Sequence, residues 1–123
     1  MKRSLLAAML ALPLGACAAP PLTPDAPRAV FNQRIAPYEW HEECTKLARG
    51  DRLDYTFESR EPVQFNIHYH DGATVVMPVV RENVKREADA FEAKITQDYC
   101  LMWEAGPAGT FIDYRVVLKR TVR

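Results

Sequence analysis

From residue 53 onward, apolar and polar side chains alternate along the chain with a period of two. Leu53, Tyr55 and Phe57 alternate with Asp54, Thr56 and Glu58. Val63, Phe65, Ile67 and Tyr69 alternate with Gln64, Asn66, His68 and His70. Successive side chains of a strand point to opposite faces, so each stretch predicts a half-buried strand. Asp71-Gly72 predicts a hairpin turn, because glycine accepts the positive φ of a primed turn. Ala73 to Val80 is then the return strand, with Pro78 marking an edge or a bulge. The period of two resumes at Phe91, Ala93 and Ile95, and again at Tyr99, Leu101 and Trp103. Gly106-Pro107-Ala108-Gly109 predicts a turn, and Ile112, Tyr114, Val116 and Leu118 face inward from a last strand. Two segments are open: Glu42 to Arg49 fits a strand or a short helix, and Arg81 to Ala90 accommodates a helical turn. The pattern predicts an all-β fold, an antiparallel, jelly-roll-like β-sandwich.

The N-terminus follows different rules. Met1-Lys2-Arg3 is positive, and Ser4 to Leu14 is an uncharged apolar run too short to span a bilayer as a helix. That layout predicts a secretory signal peptide. The segment closes with Leu14-Gly15-Ala16-Cys17, which resembles the lipobox of bacterial lipoproteins. The resemblance implies cleavage before Cys17 and acylation of that cysteine, with palmitate among the chains added. Ala18, where such proteins carry Asp to stay behind, implies sorting to the outer membrane, with the folded body in the periplasm. Several acyl chains, at about 0.8 kcal/mol per buried methylene, make a durable anchor. The organisation expected is a signal peptide over 1–16, a lipidated cysteine and Pro-rich linker over 17–37, and a β-sandwich over 38–123. Pro20, Pro21, Pro24, Pro27 and Pro37 predict an extended spacer that lifts the domain off the membrane.

The chain has 123 residues, room for one domain, with 16 basic and 16 acidic side chains. Removing residues 1–16 takes away Lys2 and Arg3 and leaves a net charge of about −2. A nucleic-acid partner is excluded by the missing basic footprint. The partners expected are the membrane, through the anchor, and an envelope protein that the domain serves as accessory subunit.

Beyond Cys17, the cysteines are Cys44 and Cys100. An even pair in a small exported domain predicts a disulfide; a redox or metal-binding thiol pair is the alternative, without a Cys-x-x-Cys motif to support it. Glu43-Cys44, Gly50 through Phe57, Val63 through Ile67, and Tyr99-Cys100-Leu101-Met102-Trp103 together resemble the GOLD domain, as found in the luminal part of Golgi cargo receptors. The resemblance implies a bridge between Cys44 and Cys100 and a role in binding or adapting. The lipid anchor at the N-terminus and the missing coiled-coil stalk set this chain apart from those receptors.

One constellation carries candidate chemistry. His68 and His70 lie two apart on a predicted strand, so both imidazoles share a face and can reach one metal. Met102 is a further ligand if its strand is a neighbour, and His41 is another candidate. Imidazole with thioether favours copper; imidazole alone also suits zinc. The plainer reading makes Asn66, His68 and His70 the polar outer face of the strand. The same histidines also suit a pH-sensing surface. No phosphate loop or nucleophile elbow occurs, and Ser59 falls in a predicted turn. Glu42-Glu43 and Asp51/Asp54 read as solvated surface. Tyr69, Tyr99, Trp103 and Tyr114 are expected in the core. Trp40 is the first aromatic to suspect of exposure, but is expected to pack over the sheet beside Cys44. The function expected is a non-catalytic binding or structural module without a cofactor; the alternatives are a periplasmic copper- or zinc-binding protein and an accessory subunit of an envelope complex.

Overall fold

A computed structural model describes residues 19–122. The expected signal peptide and the expected lipidation site, Cys17, lie outside the described residues. Six strands follow in order: β1 (Arg28–Ile35), β2 (Trp40–Leu47), β3 (Arg52–Asp71), β4 (Thr74–Glu92), β5 (Gln97–Ala105) and β6 (Thr110–Lys119). All pairings are antiparallel. The long β3 organises them. Its first half, Arg52 to Ser59, pairs with β6, which carries β1 on its far side. Its second half, Val63 to His68, pairs with β5, which carries β2. On its other edge β3 pairs with β4 along almost its whole length. A register shift between Glu58 and Val63 marks the bend that folds one half over the other.

The odd-numbered residues of β3 stay inward on both sides of that bend. Leu53, Tyr55 and Phe57 from the first half meet Val63, Phe65 and Ile67 from the second, and all are buried. The centre is aromatic: Phe57 and Phe65 lie 4.8 Å apart, and Trp103 stacks on Tyr114 at 4.6 Å. Such pairs add about 0.5–1.5 kcal/mol each beyond the area they bury. The all-β sandwich expected from the period of two is the fold observed.

The two open segments are settled as strand, and two further expectations, the linker and Ser59, are corrected. Glu42 to Leu47 is strand, not helix, because its alternation places Glu43 and Leu47 inward. Arg81 to Ala90 is part of β4. Its inward positions fall at Val76, Val79, Arg81, Val84 and Glu87, three apart wherever an extra residue enters the ladder, and that spacing imitates a helical stripe. The segment expected to be linker through Pro37 contains β1, held by its ladder to β6. The linker does not stand clear as a spacer either: Leu22 is buried in the core, and the Arg28 guanidinium donates to the Pro20 carbonyl. Ser59 lies within β3, where its hydroxyl pairs with that of Thr110 at 2.8 Å.

Candidate functional site

The outer face of the β3-β5-β2 layer carries the side chains with ligand chemistry. Strand register sets them in two rows. Asn66, Met102 and Glu42 stand side by side across the three strands, and His68, Cys100 and Cys44 form the next row. Cys44 and Cys100 are joined as a disulfide, with their Cα atoms 4.0 Å apart. The bridge is a cross-strand link between adjacent strands on the outer face, with Cys44 exposed.

His68 is 4% exposed although it points outward. Its Nδ1 lies 2.7 Å from Asn66 Oδ1, and its Nε2 lies 3.6 Å from Glu42 Oε1. The His70 ring meets it edge-on at 5.3 Å. Burial lowers the His68 pKa against the opposing pull of Glu42, and the neighbouring His70 lowers it further. The imidazole is therefore neutral at pH 7, the form that ligates metal. Met102 stands beside Asn66, as the neighbouring strands required. His41 is not part of this face: it points inward, against Trp103 and Tyr114. The outer end of β3-β4 adds exposed Val75, Met77 and Val80.

On the inner side of β2 a second polar cluster escaped the sequence reading. Glu43 is only 7% exposed, and its carboxylate accepts from Arg28 and from the Tyr114 hydroxyl at 3.0 Å. The Tyr114 oxygen also lies 3.0 Å from His41 Nε2. Burial, with the charge of Glu43, pushes the Tyr114 hydroxyl well above its ordinary range. Burial likewise lowers the His41 pKa, against Glu43 and Glu42. Trp103 Nε1 is buried beside this cluster and has no hydrogen-bond partner among the described residues. Asp51 is the other missed carboxylate, at 1% exposure. It accepts from the amides of Ala48 and Thr121, at 2.9 and 3.0 Å, and from Arg120. The reading of Glu43 and Asp51 as solvated surface is thus corrected. The signal available was their position: Glu43 shares parity with Leu47, and Asp51 follows the turn glycine Gly50.

Trp40, expected over the sheet beside Cys44, is 59% exposed and stands opposite Glu104 at the start of β2. A groove of about 420 Å³ runs along β2 and is lined by Pro20, Pro21, Arg28, Glu43, Thr45 and Lys46. Among the described residues, no helix is long and apolar enough to cross a membrane.

No protein-family model matches the chain, and no curated protein matches it. Among solved structures, the chain is similar to the pre-peptidase C-terminal domain of a collagenase from Bacillus anthracis, known from a 1.0 Å crystal structure. The two share 13% identity at a TM-score of 0.53, over 83% of this chain and 100% of that one. At that identity the likeness shows a shared β-sandwich fold.

Proposed function

We propose that the chain is a lipid-anchored protein of the bacterial outer membrane whose sandwich, facing the periplasm, acts as a non-catalytic binding or structural module. The observation that carries this reading is the join between anchor and body. Only Ala18 and Ala19 separate Cys17 from a segment that is already seated: Pro20 accepts from Arg28, and Leu22 enters the core. An acyl group on Cys17 therefore holds the sandwich against the bilayer through the end where β1 begins and β2 and β6 finish, not on a long stalk. The lipobox-like Leu14-Gly15-Ala16-Cys17 supplies the attachment, and the exposed Val75, Met77 and Val80 supply a surface for an envelope partner. The GOLD-like reading rests on the cysteine and aromatic spacing and belongs to the same proposal.

Labelling cells with a palmitate analogue and fractionating the envelope tests it. Wild type is expected to carry label and to sediment with outer membrane, and Cys17→Ser is expected to lose both. Unlabelled wild type in the soluble periplasmic fraction overturns the proposal.

A second reading, a copper or zinc site on His68 and His70, is favoured by the contact between the two rings. Metal titration of His70→Ala tests it, since that reading requires both imidazoles.

A further inference from the structure

The disulfide stands among other groups of metal-ligating type. One oxygen of Glu42 and the sulfurs of Cys44 and Cys100 all lie within 4.8 Å of one another. His68 is the register partner of Cys100, and its Nε2 is 3.6 Å from the Glu42 carboxylate. Three donors of metal-ligating type therefore converge on one patch of the outer face, and His68 borders that group through Glu42. While the sulfurs are bonded to each other they are poor ligands, because the thiolate is the metal-binding form.

We propose that Cys44, Cys100, His68 and Glu42 form a redox-gated zinc site. Reduced, the two thiolates, the His68 imidazole and the Glu42 carboxylate hold one Zn²⁺; oxidised, the site is closed. Two sulfur donors with one imidazole and one oxygen donor match the tetrahedral preference of zinc. His68 is already oriented for the task. An Nδ1–H that donates to the Asn66 carbonyl oxygen leaves the Nε2 lone pair aimed at Glu42, the arrangement that fixes the tautomer of a metal-bound histidine.

Opening the site is a thiol–disulfide exchange with a dithiol reductant. One thiolate of the reductant attacks one sulfur of the Cys44–Cys100 bond, which breaks and leaves a mixed disulfide. The second thiol of the reductant displaces it, so the reductant becomes the disulfide and both cysteines become thiols. Zinc then displaces their two protons to solvent. β2 and β5 are paired from Trp40–Glu104 to Leu47–Gln97 on either side of the bridge, so the ladder and not the bridge alone keeps the two cysteines opposite each other.

The test is a zinc titration of the full chain, oxidised and after dithiol reduction, against a competing chelator. The reduced chain is expected to bind one zinc per chain at least about 100-fold more tightly than the oxidised chain. With Co²⁺ it should show a thiolate-to-cobalt charge-transfer band. His68→Gln and Glu42→Gln leave the disulfide intact; after reduction each is expected to lose about tenfold or more in zinc affinity, as is Asn66→Ala. His70→Ala is expected to change nothing, which separates this site from the His68–His70 reading. Equal zinc affinity in the two redox states overturns the proposal. So does a reduced chain that has lost its β-sheet circular dichroism in the presence of zinc.

Discussion

Asp51 shows how much a single buried carboxylate can carry in this domain. It ties the turn between β2 and β3 to the chain leaving β6, through the amides of Ala48 and Thr121 and the Arg120 guanidinium. Burial alone would raise its pKa, but those donors hold it below the ordinary value of 3.8. The unfolded chain is then protonated first on acidification, so the stabilisation is complete above about pH 4 and is lost below it. Asp51→Ala strands two amide donors and is expected to cost about 3 kcal/mol, read by urea unfolding at pH 7. His41 and His68 act over a different window. Burial holds both below the ordinary 6.5. Below about pH 6.5 the unfolded histidines take up protons that the folded ones resist, so stability falls as pH falls. A lower urea midpoint at pH 5 than at pH 7, with the difference reduced in His41→Gln, is the expected outcome. Neither carboxylate was legible in the sequence as a buried group. Polar residues beside a turn usually face water, and two of the three partners of Asp51, Arg120 and Thr121, arrive from the far end of the chain.

At the scale of elements, the strands with strict alternation were legible and the bulged ones were not. Along β3, β5 and β6 the inward residues keep one parity, so the period of two could be read directly. Along β4 the register slips opposite Ile67–Tyr69, Val63–Phe65 and Glu58–Val63. Each slip changes parity, and the sequence then reads as helix or as loop. The Pro78 signal was sound: it sits beside the slip opposite Ile67–Tyr69. The charged residues of β4 also protect its free edge. Tyr55 donates to Glu87 at 3.2 Å, and Arg81 holds that carboxylate at 2.7 Å. The turns allow a sharper comparison. Gly72 and Gly109 both have positive φ, 59° and 65°. A Cβ at Gly72 meets nothing within 4 Å among the described residues, whereas at Gly109 it lies 2.9 Å from the Ile35 carbonyl oxygen. Gly72→Ala is expected to cost about 1 kcal/mol for the backbone alone. Gly109→Ala should cost clearly more, and equal thermal midpoints for the two variants would contradict the packing described.

For the whole molecule, the bridge and the proposed anchor serve different ends. The Cys44–Cys100 link encloses a sequence separation of 56 residues. In the chain-entropy model a loop of that size stabilises by about 4 kcal/mol. Reduction without metal should therefore lower the unfolding midpoint strongly, and zinc should restore part of the loss. The pairing of the cysteines was legible from their number; their place on an outer face beside His68 and Glu42 was not, because it depends on the order of β2, β5 and β3 across the sheet. The His-x-His pair was legible as a shared face, but the inward turn of His41 required the register of β2. The Pro-rich segment misled in the other direction: prolines read as spacer, yet Leu22 and β1 belong to the body. The sandwich thus begins almost at the residue proposed to carry the lipid. Mass spectrometry of the N-terminal peptide from native envelopes measures this most directly. The account predicts a peptide starting at Cys17 with its sulfur and amine acylated. A chain starting elsewhere, with an unmodified Cys17 thiol, would contradict it.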